Sequence, residues 1–228
     1  NQALSVAGLE RFTQYFGGFG RDPFFAPIDE SEHVCAIERR ADESTSVFAE
    51  NWHTDWSFQP IPPAATCLLG LTIPPIGGNT DFTDQHKALA AMPTELRERL
   101  EGKIGIHSAK LAYSPDGMYS DPEKEADRSM RVVISEEAYL TETHPIIRKH
   151  PETGEEGIFS SLGYIVGVEG MSDEEALPLL MDLQAWQTRE EFQYHHEWQK
   201  DMLVMWDNRS VLHKANGGYE GHDRLLHR

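Results

Sequence analysis

The chain has 228 residues, 39% hydrophobic and 25% charged, an ordinary balance for one large globular domain or two small ones. Lys plus Arg number 20 against 38 Asp plus Glu, a formal charge of −18 that argues against nucleic acid or an anionic membrane as partner, since both need basic surface. No apolar run approaches the roughly 18 residues of a membrane helix, and no basic–apolar–small leader opens the sequence.

An anionic substrate of so acidic a protein has to be caught by particular Arg or Lys side chains in a pocket. Cys35 and Cys67 have no CxxC spacing and read as free thiols in a reducing cytoplasm.

In chain order, Ser5 caps a first helix carrying Val6, Leu9, Phe12 and Phe16, stopped by Gly17-Gly18. Arg39 to Ser46 is a polar loop. Trp52 to Phe58 alternates and predicts a strand. Thr66 to Ile73 predicts a buried strand ended by Pro74-Pro75. Gly77-Gly78 turns into a short strand, Asn79 to Thr83, and Asp84 to Glu101 predicts two helices broken at Pro93.

Ser114 to Ser129 is charged and without hydrophobic period, an excursion from the core within a candidate lid over 107–130. His150 to Gly157 reads as a hairpin tip. Ser172 with Glu175 forms a capping box opening a helix whose Leu177, Leu180, Met181 and Trp186 are expected in the core. Phe192–Trp198, Met202–Trp206 and Val211–His213 predict short strands. There is no internal repeat and no linker. Many short strands with a few helices, without regular strand–helix alternation, favour a single antiparallel β-sandwich or barrel with helical decoration.

His53-Thr54-Asp55 is the first candidate for chemistry. On a strand, an imidazole and a carboxylate two residues apart share a face and can hold adjacent positions on one metal. One such pair is what chance supplies with 11 His in the chain. His150-Pro151-Glu152 is a similar pair, expected at a solvated tip, and His195 in FQYHHEW reads as structural. The company of His53 and Asp55 raises their weight. His213 ends an apolar strand, Arg224 follows a Gly-rich turn, and Arg228 lies four further on. Four residues apart on a strand, the two guanidiniums share a face at roughly 13 Å and suit capture of two anions.

The stretches NWHTDWSF (51–58), PPIGGNTDFTD (74–84), WDNRSVLHKAN (206–216) and the DRLLHR tail resemble the taurine dioxygenase and 2,4-dichlorophenoxyacetate dioxygenase family of iron(II)- and 2-oxoglutarate-dependent oxygenases. The resemblance runs over nearly the whole chain. It implies a double-stranded β-helix, or jelly roll, and an Fe(II) site of His53, Asp55 and His213. It matches Thr80 and Arg224 to the residues that hold the distal carboxylate of 2-oxoglutarate, and Arg228 to the residue that holds the acidic group of the substrate. O₂ completes the cofactor set, and a dimer or tetramer is implied.

The sequence also departs from the taurine pattern. Asp22 stands where taurine enzymes carry a His, Ala49 replaces an Asn, and Trp56 replaces a small aliphatic residue. Trp56, Tyr113 and Tyr164 suggest an aromatic pocket. The expected substrate is therefore a small organic acid other than taurine: a sulfonate, sulfate ester, aryloxyacetate or carboxylate. Trp206 to Arg209 read as structural ties before His213. The competing reading is a cupin-like jelly roll that binds metal without a keto acid. Thr80, Arg224 and the spacing of Arg224 from His213 count against it. The intact triad counts against a catalytically dead relative.

Overall fold

A computed structural model describes residues 2–228. In chain order the elements are α1 (Val6–Thr13), β1 (Ala36–Arg39), β2 (Ala65–Thr72), β3 (Thr80–Asp84), α2 (Gln85–Ala90), α3 (Thr94–Leu100), β4 (Ile104–Ser108), α4 (Lys110–Tyr113), β5 (Thr141–Pro145), β6 (Ile147–Lys149), β7 (Glu156–Ile158), β8 (Ile165–Val168), α5 (Asp173–Gln187), β9 (Gln193–His196), β10 (Leu203–Asp207), β11 (Val211–Ala215) and β12 (Arg224–His227). The molecule is mainly β, as the sequence predicts.

One sheet has the order β1-β12-β2-β10 and a second the order β11-β3-β9. Every pairing in both is antiparallel. They close on a shared core in which Leu68, Trp206 and Leu226 of the first sheet meet Phe82 of the second, with Trp198 beside them. A third sheet, β5-β4-β8, and the hairpin β6-β7 carry the helical side.

Why β2 reads as an uninterrupted apolar run is visible in its two faces. Leu68 points into the core between the sheets, while Cys67 and Leu69 pack with Leu9 of α1 on the other side. A strand covered on both faces has no polar alternation to show. The Ser5 cap of α1 and the Ser172–Glu175 capping box of α5 both form as expected.

Three expectations fail. Trp52–Phe58 is not a strand. Only His53 pairs, in a single bridge with His213, and the chain then turns, with Trp56 at φ 49°. A left-handed conformation for a bulky residue is strained. Trp56 holds it because its indole is fixed among Phe24, Phe25, Phe58 and Tyr113.

Leu177 and Met181 are exposed, not core. The buried face of α5 is Ala176, Leu179, Leu180, Leu183 and Gln187, a phase that turns Leu177 and Met181 outward. His150 is buried rather than solvated. Its Nε2 lies 3.0 Å from an Asp207 carboxylate oxygen, which ties the β6–β7 tip to the turn before β11.

Candidate active site

The bridge between His53 and His213 brings together residues 160 positions apart. Each backbone N–H donates to the other's carbonyl, at 3.0 and 2.7 Å. The two imidazoles then lie with ring centroids 4.2 Å apart. The turn after His53 swings Asp55 back toward both rings. Its Oδ1 is 3.9 Å from His53 Nε2 and its Oδ2 is 3.8 Å from His213 Nε2. One ligand atom from each of the three residues lies within 4.8 Å of the other two. The convergence arises from a bridge and a turn, not from alternation along one strand.

The donor set fits a metal. His53 Nδ1 donates to the Asn51 carbonyl at 2.8 Å, which leaves Nε2 with its lone pair facing the cluster. Burial keeps the His213 imidazole neutral, with its pKa pushed down to about 3. Burial alone would raise the Asp55 carboxyl. Arg228 and a hydrogen bond from Thr66 oppose that and hold it ionised, well below the usual range. Two neutral imidazoles and one carboxylate are a two-His-one-carboxylate set, suited to Fe(II) with positions left open.

Behind Asp55 runs a relay that the sequence did not reveal. Trp206 Nε1 donates to Asn208 Oδ1 at 2.9 Å. Asn208 Nδ2 donates to Thr66 Oγ1 at 2.8 Å, and Thr66 donates to Asp55 Oδ2 at 2.6 Å. All four residues are buried. The outer groups thus orient the carboxylate. A threonine inside the apolar run of β2 was the available signal, because a buried hydroxyl needs a partner.

Arg224 and Leu226 on β12, and Arg228 just after it, share the face that lines the same cavity as the His-Asp-His cluster. Thr80 on β3 and Ala215 on β11, paired in register, line it too. Arg224 is buried. Its Nε donates to the Gly78 carbonyl at 3.2 Å, and no acidic side chain lies within 4.0 Å among the described residues. Burial lowers its pKa, as expected for a cation kept from water without a counter-charge. Gly77 and Gly78 make this contact feasible. Both have positive φ, and a Cβ on Gly77 would fall 2.4 Å from the Gly218 carbonyl oxygen. Thr80 Oγ1 accepts from Trp198 Nε1 at 2.9 Å, so its own hydrogen is free to donate into the cavity.

The remaining wall is aromatic. Phe25, Phe48, Tyr113, Tyr119 and Tyr164 line the cavity together with Met118. Tyr113 and Tyr164 are held protonated by burial. Asp22 and Trp56 lie elsewhere. They line a separate outer groove, and Arg228 stands in the wall between the two spaces.

The inner cavity encloses roughly 110 Å³. That is well short of the ~300 Å³ of an ordinary small-molecule site, so admitting both a keto acid and a substrate requires some of the wall to yield. Met118 and Tyr119 belong to the segment 114–129, which has no regular structure. It is anchored by Glu43, whose carboxylate accepts from the Ser129 N–H at 2.9 Å and the Ser129 hydroxyl at 2.5 Å. Arg128 sits over the Tyr119 ring, 5.0 Å from its centroid.

Comparison with known proteins agrees with this geometry. The family model described as taurine catabolism dioxygenase TauD, TfdA family matches residues 1–228. An alkylsulfatase of Acinetobacter baylyi is 30% identical over 228 residues, which cover all of this chain and 69% of that protein. The alpha-ketoglutarate-dependent 2,4-dichlorophenoxyacetate dioxygenase of Cupriavidus pinatubonensis is 33% identical over 180 residues, covering 78% of this chain and 58% of the relative.

Among solved structures, a putative alpha-ketoglutarate-dependent taurine dioxygenase from Burkholderia xenovorans superposes with a TM-score of 0.76 at 28% identity, covering 98% of this chain and 73% of that one. The two facing sheets are therefore the jelly-roll core of such enzymes. The cofactors that go with this class are Fe(II), 2-oxoglutarate and O₂. The chain belongs to the TauD/TfdA family of 2-oxoglutarate-dependent dioxygenases.

Proposed function

We propose that this chain is a single oxygenase domain that oxidises a small organic acid at a C–H bond, with His53, Asp55 and His213 holding Fe(II) and Arg224 with Thr80 holding 2-oxoglutarate. The observation that carries the reading is Arg224. A buried guanidinium without an acidic partner, in the same cavity as three convergent metal donors, is matched to an anion brought in from outside. A cupin-like metal protein without a keto acid gives that charge no purpose.

When bound, iron(II), the keto acid and O₂ supply hydroxylation of a substrate C–H with release of succinate and CO₂. The chain's own residues do the rest. Thr66 and Asn208 fix the Asp55 carboxylate. Asn51 fixes the His53 tautomer. The aromatic wall excludes water and gives an apolar group a surface to pack on. Arg228, at the other end of the β12 face, takes the acidic group of the substrate. Of the candidate lid over 107–130, residues 107–113 are held in β4 and α4, and segment 114–129 acts as the lid.

The named relatives act on an alkyl sulfate and an aryloxyacetate. In both substrates an anion sits near a carbon bonded to oxygen. Oxidation at that carbon lets the oxygen-bound group leave and an aldehyde form. An aromatic wall beside an Arg suits either an aryl or an alkyl body.

Among the described residues no helix is long and apolar enough to cross a membrane. The two cysteines are free and buried, in keeping with a cytoplasmic setting. Assembly as a dimer or tetramer completes the proposal and is read by sedimentation.

The test is succinate release from 2-oxoglutarate with Fe(II) across sulfonates, alkyl sulfates, aryloxyacetates and carboxylates, each beside its neutral ester or amide, for wild type and Arg228→Gln. Acids should drive release in the wild type and lose that advantage in the variant. Equal release with neutral analogues, and no loss in Arg228→Gln, removes the organic-acid reading.

A further inference from the structure

Two arginines serve one cavity, and their surroundings are opposite. Arg224 meets no carboxylate, whereas Arg228 meets two. Its Nη1 is 2.7 Å from Asp22 Oδ2 and its Nη2 is 3.1 Å from Asp55 Oδ1. The Asp55 contact comes with the metal site. The Asp22 contact does not. It reaches across 206 positions from a loop that carries no metal donor.

Asp22 is held for this purpose by its own backbone. Its Oδ1 accepts the N–H groups of Phe24 and Phe25 at 3.3 and 3.1 Å, a turn that leaves Oδ2 aimed at the guanidinium. The guanidinium is fixed in its turn, 5.3 Å from the Phe25 ring centre and 5.0 Å from that of Trp56. The Arg228 side chain is 12% exposed and that of Asp22 is 29% exposed. The pair is thus screened from water on the arginine side and reachable from the outer groove on the carboxylate side.

We propose that Asp22 is a specificity-determining residue: a tethered carboxylate that competes with the acidic group of the substrate for Arg228 and narrows the enzyme's preference for acids over neutral analogues. The inference rests on the reading of Arg228 as the acid anchor and adds a second charge to it. Asp22, Asp55 and Arg228 sum to −1. An incoming acid therefore approaches a guanidinium whose charge is already shared on both edges. It has to displace Asp22 from Nη1 or accept a poorer contact. A substrate with a neutral polar group meets no such competition. Asp22 touches Arg228 and not the reacting carbon, so it positions the anchor and should act on binding rather than on the oxidation step.

The experiment compares wild type, Asp22→Asn and Asp22→Ser. Both replacements keep a side-chain oxygen for the turn at Phe24 and Phe25 while removing the charge. Dissociation constants are measured by calorimetry on the Fe(II)- and 2-oxoglutarate-loaded protein without O₂. The probes are 2,4-dichlorophenoxyacetate and hexyl sulfate, beside 2,4-dichlorophenoxyacetamide and hexanol. Both variants should bind at least one acid about five- to tenfold more tightly than wild type, the worth of one partly screened ion pair. The neutral probes should be unmoved, and under turnover the gain should fall in KM rather than kcat.

In an Arg228→Gln background the gain should vanish. No tightening of either acid by either variant overturns the proposal. Tightening of acid and neutral probes alike, or tightening that survives Arg228→Gln, shows a loosened pocket and overturns it equally. Failure of the underlying reading looks different: Arg228→Gln alone then leaves acid affinity where it was.

Discussion

The two ends of the cavity are built differently. At the metal end His213, Thr80, Arg224, Thr66 and Trp206 all sit on strands of the two facing sheets, and His53 is bonded to one of them. The polar groups there are fixed by named partners, down to the relay that ends on Asp55. At the substrate end Phe25, Phe48, Met118 and Tyr119 of the wall, and Asp22 behind Arg228 in the outer groove, come from segments outside helix or strand, apart from a lone bridge at Phe25. The contrast teaches that reaction class is written into the rigid frame and substrate choice into loops laid over it.

The sharpest way to break that comparison is at the frame. His213→Ala or Asp55→Ala should reduce succinate formation to background while circular dichroism stays native. A fold that collapses with either change would mean the cluster is structural first. Arg224→Ala should come next. Removing one partner of a charge-assisted contact in a dry site costs on the order of 2–5 kcal/mol, so the 2-oxoglutarate requirement should rise about 30-fold or more. A steady-state titration of 2-oxoglutarate checks it, and an unchanged requirement removes Arg224 from the keto-acid site.

The relay should matter less. Thr66→Val keeps the shape and deletes the donor to Asp55, and should weaken Fe(II) binding by about 10-fold or somewhat more. Equilibrium dialysis of the metal reads this. An effect no larger than that of a surface change would show that Asp55 needs no support.

On the loop side the expected effects are small and depend on pH. Burial would raise the Glu43 carboxyl, but hydrogen bonds from Ser129 and Thr45 and the nearby Arg39 bring it below its ordinary 4.5. A carboxyl with a depressed folded-state pKa contributes stability that is whole above pH 4.5 and is lost as pH falls through the folded value. The anchor of segment 114–129 should therefore loosen in acid before the strands do. Amide protection over that segment, corrected for intrinsic exchange and measured from pH 6 down to 3, should fall below pH 4.5 in wild type and be low and flat in Glu43→Gln. Equal protection of segment and strands across that range would erase the distinction between the two regions.

The sequence showed the frame well for a physical reason. A strand buried on both faces, as β2 is, leaves a run that cannot be missed, and the ligand residues sit at fixed offsets from turns made by Gly77-Gly78 and Asp207–Ser210. Local geometry between those points was less legible. Alternation over Trp52–Phe58 gives no warning of a positive φ at Trp56, which is set by aromatic packing contributed from Phe24, Phe25 and Tyr113. Counting apolar residues in α5 without fixing the helix phase put Leu177 and Met181 in the core, where Leu179 and Leu183 belong. Asp22 stands out in the sequence as a departure, but its pairing with Arg228 depends on residues 206 positions apart meeting, which no local pattern records.

The central claim is that His53, Asp55 and His213 form one iron site that works with 2-oxoglutarate at Arg224. Anaerobic titration of the metal-free protein with Fe(II), followed by 2-oxoglutarate, tests it directly. The account predicts one iron per chain and a weak visible charge-transfer band that appears only when both are present, absent in His213→Ala and shifted to higher 2-oxoglutarate in Arg224→Ala. Iron bound without that band, or a band that survives His213→Ala, would contradict it.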